Sequence, residues 1–470
     1  MLRSLALGLV AMSAVAASSQ QLPAGSLAPQ GAETPKAWGI ASIERDLERL
    51  FAIADENNTS LRACQTALER AGQEVEAAKA KKLPDVTTSL SVSYIGTGQT
   101  LNRDFTYFNN PGFPHWGNSF ALEAQQVVYA GGALDNGLRM ARLSRDMEGH
   151  NEEAGRENVH MLLAGLYLER LSLLNRLEVV RKNVALADTL IGKTRNRYDE
   201  GVVLKNDITR YELMREQMAL QEVLVGDRLS VVEKQMTTAV GSSNASLEQE
   251  EFSFNLQPSC APVGTQASKL GATFNSKEGE AYWQDLALTE NSGLKKSATS
   301  VEMSKVKEKL ARAASLPKVA VVAADNLNGP NMVNVPALDK NVNYWYVGVG
   351  VKYDISSIYK NKKNIRSAKT ATRNAEQQQQ VAREGVSDAV HAAYMGVQTA
   401  MSELRTREKS MELARQNYDV VANRYDNGLA LVTDMTDAAN VRLDAELQFV
   451  DAQIGVAMAY YKLKYVAGDI

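Results

Sequence analysis

The sequence predicts an α+β membrane protein built from two copies of one unit, with four β-strands set into long coiled-coil α-helices. Three observations carry this. First, the two halves repeat each other: Arg197-Tyr198-Asp199-Glu200-Gly201 returns as Arg424-Tyr425-Asp426-Asn427-Gly428, Leu83-Pro84 as Leu316-Pro317, and Asn58…Leu61 as Asn291…Leu294. Second, short runs with a two-residue hydrophobic period interrupt stretches with a heptad period. Third, beyond the N-terminus no stretch approaches the roughly 18–20 apolar residues of a membrane-crossing helix, so a membrane span has to be made of strands.

The N-terminus comes first in the chain. Met1-Leu2-Arg3 and the apolar run Leu5–Ala16 have the basic start and small-residue end of a secretory signal peptide, with Ala14-Val15-Ala16 as the cleavage site. The expected organisation is a signal peptide (1–17), a disordered lead-in (18–42), a first repeat (43–241), an irregular insert (242–278) and a second repeat (279–470). A formal charge of −3 over 470 residues gives no reason to expect nucleic acid as a partner. Aromatics make up only 6%, a balance that favours long helices over a mixed globular core. The two cysteines, Cys64 and Cys260, form no metal pattern, and spacing leaves open whether they pair.

Each repeat opens on a helix. Ile43, Leu47, Leu50, Phe51 and Ala54 fall on one side of a helix expected from Ile43 to Lys82, which Pro84 ends. Val86, Thr88, Leu90, Val92 and Tyr94 then alternate with Thr87, Ser89, Ser91 and Ser93, and a second alternating run follows from Trp116 through Phe120 and Leu122 to Tyr129. The second repeat copies this with a helix from about 279 to 314, a strand from Val319, and the run Trp345, Val347, Val349, Val351, Tyr353. Each run is roughly the 9–11 residues of a tilted membrane strand. Tyr94, Trp116, Trp345 and Tyr353 sit where an aromatic girdle belongs. The long helices come next. Leu173, Leu177, Val180, Val184, Ala187, Ile191, Thr194 and Tyr198 step alternately by four and three, a heptad seam. The helix is expected to stop at Gly201 and return from near Asn206; its copy stops at Gly428.

Four strands cannot close a barrel, and open edges are not tolerated in lipid, so other copies must complete the sheet. Two copies would supply eight strands, a barrel filled by its own side chains, and three would supply twelve and leave a lumen. The long loops fit the outer face of such a barrel and the helices then project on the other side.

With these residues in hand, the chain resembles the TolC-like family of outer-membrane efflux and secretion channels. The resemblance rests on Arg197–Gly201 followed by Asn206-Asp207-Ile208, on Arg424–Gly428 followed by Thr433-Asp434-Met435, and on the Tyr129-x-Gly131-Gly132 turn, and it spans roughly Ile43 to Val466. It implies a homotrimer with a twelve-stranded barrel, a twelve-helix periplasmic tunnel and an equatorial belt formed partly by the insert. It also implies an outer-membrane location in a Gram-negative bacterium, a periplasmic adaptor and an inner-membrane pump as partners, and no cofactor.

Asp434 and Asp437, three residues apart, share a helix face. In a threefold tube they would ring a constriction with carboxylates, which favour cations. The resemblance makes Asp434, Asp437, Asp207 and Tyr425 the periplasmic gate; Ala430 stands where the best-known members carry a locking arginine. The apolar turns at Gly201, Val202, Val203 and at Gly428, Leu429 are the expected adaptor-docking tip. Catalysis is excluded: His115, His150, His160 and His391 are scattered, and Gly348-Val349-Gly350 lies in a strand and lacks a third glycine. The expected function is an exit duct, with a non-pore periplasmic coiled-coil scaffold or adaptor as the alternative.

Overall fold

The structure, a computed structural model, describes residues 40–96, 100–101, 103–105, 108–109, 114–241, 277–330 and 339–470. The expected signal peptide, most of the lead-in, nearly all of the insert and Cys260 lie outside these residues. In the first repeat, α1 (Ile40–Asn57) and α2 (Thr59–Ala80) lead to β1 (Asp85–Tyr94). A small hairpin of β2 (Thr100–Leu101) and β3 (Phe108–Asn109) precedes β4 (Trp116–Tyr129), then α3 (Ala133–Asp199) and α4 (Lys205–Val240). In the second, α5 (Lys277–Glu290), α6 (Ser292–Ala313), β5 (Lys318–Gly329), β6 (Val342–Lys352) and a single turn α7 (Ser357–Lys360) lead to α8 (Lys362–Asp426) and α9 (Val432–Ala467). At 67 residues, α3 extends about 100 Å at 1.5 Å per residue.

The opening helix of each repeat, expected to be continuous, is broken. Asn58 adopts an extended conformation (φ −65°, ψ 124°) and N-caps α2, its Oδ1 accepting from the N–H groups of Ser60 (2.8 Å) and Leu61 (3.1 Å). Its Nδ2 donates to the Ala239 carbonyl, 2.5 Å away in the last turn of α4. Asn291 does the same for α6, accepting from Leu294 N–H (3.1 Å) and donating to the Val466 carbonyl at the end of α9 (2.9 Å). Each return helix ends beside the break on a left-handed glycine, Gly241 (φ +86°) or Gly468 (φ +80°). A Cβ at Gly241 would lie 2.2 Å from the Asn57 carbonyl oxygen, so only glycine admits this approach. The apolar spacing of Ala54 and Leu61 runs through the break, which is why periodicity reads a single helix there.

The four long strands form one antiparallel sheet in the order β1-β4-β5-β6, so β4 and β5 join the repeats and β1 and β6 are open edges. Residues directly opposite share a face. Leu90 faces Phe120, which faces Leu327, and Val321 faces Val349, giving an apolar surface. The other face carries Thr87, Ser89 and Ser91, with Ser119 Oγ donating to Asn328 Oδ1 (2.6 Å). Asp325 is an exception on the apolar face; it lies opposite Trp345 and accepts a hydrogen bond from Asn343 Nδ2 (3.0 Å). Tyr94 and Trp116 pair at the loop end, rings edge-on at 5.7 Å and both well exposed. Trp345 lies near the same end, and Tyr353 follows β6 at the helical end.

Beside the sheet the helices lie side by side as α2-α3-α6-α8; toward the tips the order becomes α4-α3-α9-α8. The apolar stripe of α1 (Ile43, Leu47, Leu50, Ala54) covers α3, α4 and α9 at mid-length, against Leu163, Tyr167, Leu171, Val232 and Ala457. Fully buried leucines such as Leu47 and Leu163 each contribute about 1.5–3 kcal/mol. Cys64 is half-buried and has no disulfide partner among the described residues, and no described helix is long and apolar enough to cross a membrane.

Candidate functional site

Both hairpin tips are built alike because the same five-residue motif, differing only at Glu200 and Asn427, ends both long helices. At the first, Gly201 takes φ +76°, its N–H donates to the Tyr198 carbonyl (2.9 Å) and the Val202 N–H reaches back to the Arg197 carbonyl (2.9 Å). At the second, Gly428 takes φ +73°, with Gly428 N–H on Tyr425 (3.0 Å) and Leu429 N–H on Arg424 (2.7 Å). This is the Schellman stop, and it requires a left-handed residue after the helix. Space is not the constraint, since nothing stands within 4 Å of a Cβ at either glycine.

The expected docking residues are outermost. Val202 is 70% exposed and Leu429 68%, flanked by the equally exposed Leu204 and Leu431, while Val203 is half-buried. Four large apolar side chains in water at two adjacent turns are more than a lone exposed leucine, and such patches mark contact surfaces.

The acids begin the return helices. Asp434 Oδ2 accepts from the Leu431 N–H (3.1 Å) and Asp207 Oδ2 from the Leu204 N–H (3.1 Å), so both carboxylates satisfy an orphan donor and complement the helix dipole. Asp434 and Asp437 are both exposed, and Asp437 has no hydrogen-bond or ionic partner among the described residues. In the first repeat the position of Asp437 is held by the exposed Arg210.

Tyr425, unlike the exposed Asp434 and Asp437, is buried at the junction of the two hairpins, in one cluster with Tyr211, Val432 and Met435. Its hydroxyl is 3.3 Å from Thr194 Oγ1, and the Arg197 guanidinium stands 4.9 Å above its ring. Arg197 also donates to the carbonyls of Tyr425 (3.1 Å) and Asp426 (2.8 Å), and Lys193 pairs with Asp426 (3.3 Å). Burial first, then the adjacent Tyr425 phenol, pushes the Tyr211 hydroxyl well above the usual tyrosine range. Arg197, Lys193 and Tyr211 are what sequence reasoning missed; the signal for Arg197 was its place in the repeated five-residue motif. A second missed cluster is Glu446, 6% exposed on α9 and held by Arg415 (3.0 Å) and Arg442 (3.2 Å). Among the described residues no group of three His, Cys, Asp or Glu could hold a metal ion.

A duplicated chain with a four-stranded, lipid-suited sheet and two hairpins ending in acidic turns has known counterparts. Residues 50–241 and 283–469, the two repeats, match the outer membrane efflux protein family. The chain belongs to that family. A relative, the outer membrane efflux protein BepC of Brucella suis biovar 1 (strain 1330), is 19% identical over 434 residues, covering 92% of this chain and 87% of the relative. In fold the chain is similar to the outer membrane protein VceC of Vibrio cholerae (TM-score 0.73, 15% identity, 90% of this chain and 96% of that one). It is likewise similar to the CmeC outer membrane channel of Campylobacter jejuni (TM-score 0.72, 15% identity, 96% and 94%). Members of this family are outer-membrane efflux channels, not enzymes, and this outer membrane efflux protein resides in the outer membrane with its strands as the membrane part.

Proposed function

We propose that three copies of this chain form an exit duct across the outer membrane, opened at its helical tips by a periplasmic adaptor and an energised inner-membrane pump. The observation that carries the reading is the pair of open edges. Among the described residues β1 and β6 lack a neighbour on their outer sides, and a sheet in lipid must close. The helices agree: α4 and α8 bound the arc near the tips, and α4 carries the exposed stripe Leu213, Leu220, Leu224, Val231 along its free side. Copies that join at these edges enclose a passage lined by the serine- and threonine-bearing face. Tripartite efflux or type I secretion then supplies the energy, since this chain has no nucleotide-binding motif.

In this reading Asp434 and Asp437 face the narrowest part of the periplasmic end, Asp207 braces the neighbouring turn, and Tyr425 with Arg197 locks the two hairpins of one chain together. The adaptor grips the exposed Val202, Val203 and Leu429 around Gly201 and Gly428. Purified protein in a planar bilayer is expected to conduct ions, and the detergent-extracted species to run as a heat-resistant trimer. A monomer without conductance refutes the duct.

A further inference from the structure

The seam between the two repeats inside one chain is a template for the seam between chains. Where α3 of the first repeat lies beside α6 of the second, three polar contacts join them. Arg139 Nη2 meets Glu302 Oε2 (3.1 Å), Lys295 Nζ meets Glu153 Oε1 (2.9 Å), and Ser292 Oγ donates to Glu157 Oε2 (2.7 Å). The repeat copy of α3 is α8, and the repeat copy of α6 is α2. Among the described residues these two end the row of helices beside the sheet, each with one side uncovered.

The internal repeat fixes which residues correspond. Asn58 and Pro84 have the same separation as Asn291 and Pro317, so α2 and α6 align without a gap. Counted from the tip glycines Gly201 and Gly428, Leu138-Arg139-x-Ala141-Arg142 falls on Ile365-Arg366-x-Ala368-Lys369. On that alignment Arg139–Glu302 becomes Arg366–Glu69, and Ser292–Glu157 becomes Thr59–Glu384. The chemistry of both contacts is kept. Lys295–Glu153 becomes Arg62–Gln380, and the Gln380 amide donates to Glu384 (2.8 Å), one turn further on.

The charges that would meet are now unmatched. The side chains of Arg366 and Glu69 are both exposed, and neither has a partner among the described residues. Arg366 lies off the side on which Ile365, Ala368 and Thr372 pack, and Glu69 lies off the side of Leu61, Ala71 and Val75. Small neighbours on both free sides, Ser367, Thr370 and Ala371 on one and Ala63 and Ala77 on the other, leave room for close approach.

We infer that α8 of one copy packs against α2 of the next copy through Arg366–Glu69 and through Arg62 and Thr59 onto Glu384. The contact repeats between chains the seam that the repeats make within one. It rests on the duct reading, and adds which faces meet and in what register. The α2 edge of each copy then receives the α8 edge of its neighbour all round the ring.

The test uses the full chain with Cys64 and Cys260 replaced by serine. A short bismaleimide should join Glu69→Cys with Arg366→Cys between copies, giving covalent dimers and trimers on denaturing gels. The in-chain pair Arg139→Cys with Glu302→Cys should react at monomer mass. Charge reversal is the second readout. Glu69→Arg or Arg366→Glu alone should lower the temperature at which the detergent-extracted assembly dissociates, and the two together should restore it. An intact assembly whose Glu69→Cys/Arg366→Cys form stays monomeric on the gel, or whose double reversal is no better than the singles, overturns the register and leaves the duct standing. Wild-type protein that is a monomer overturns the duct itself.

Discussion

Replacing Asn58 by alanine tests the joint that ties the helix break to the return helix. Its Oδ1 caps α2 through two backbone N–H groups, and loss of such a cap costs about 1 kcal/mol. Its Nδ2 also serves the Ala239 carbonyl inside the core of the first repeat, and a buried acceptor deprived of its donor costs about 1–3 kcal/mol. Asn58→Ala should therefore lose about 2–4 kcal/mol. Asn58→Ser keeps a capping oxygen but cannot span to Ala239, so it should lose only the second part. Asn291→Ala, where the cap oxygen receives one N–H and the side chain is less buried, should lose less than Asn58→Ala. Thermal unfolding followed by circular dichroism at 222 nm, against the exposed control Gln65→Ala, reads the order wild type, Asn58→Ser, Asn58→Ala as successive falls in midpoint. If Asn58→Ser matches wild type, the bridge to α4 contributes nothing; if Asn58→Ser matches Asn58→Ala, the cap contributes nothing; either result, or an Asn58→Ala midpoint within the control's scatter, refutes the two-part joint.

Asp434→Ala with Asp437→Ala should weaken block of single-channel current by divalent cations, and unchanged block removes the two acids from the entrance. Glu446→Ala strands Arg415 and Arg442 and should cost about 3–5 kcal/mol, the scale for breaking a largely buried ion pair; thermal unfolding checks it, and a neutral result would mean the two guanidinium groups find water. Burial lifts Glu157 above the ordinary carboxylate range, by more than the hydrogen bond from Ser292 lowers it. A raised folded-state value means its contribution to stability is complete below the unfolded value and is lost as pH rises through the folded one. Glu157→Gln should thus flatten the fall in unfolding temperature from acid to neutral pH, and a superimposable pH profile would rule this out.

The strands and tips were legible because their signals are local. Alternation of Val86 through Tyr94 needs no partner to be recognised, and the stop at Gly201 is written in one residue's left-handed conformation. The Asn58 break was half-legible: the residue recurs at Asn291 and is a good N-cap, yet the heptad spacing passes through it undisturbed. What makes it a break is Ala239, 181 positions away, and no window of sequence contains both. The buried contact of Tyr425 with Arg197 was hidden for the same reason, since the two stand 228 positions apart in different repeats.

Placement of the acids follows from what duplication kept and what it changed. Asp207 and Asp434 both cap their helices, so that pair is explained by helix termination alone and says nothing of transport. On the proposed gate the asymmetry is what matters: where the first repeat has Arg210, the second has Asp437, exposed and unpartnered among the described residues. Capping engages only one oxygen of Asp434, so its other oxygen and the whole of Asp437 remain for an ion on the same helix face. In a ring of copies, charge of one sign then gathers at the second-repeat hairpins only, while each first-repeat hairpin offers an acid beside a base. On the proposed duct, two tips with one backbone design would thus divide the work. Asp434 in company with Asp437 is suited to hold a cation at the entrance, and Asp207 in company with Arg210 to stay in the wall.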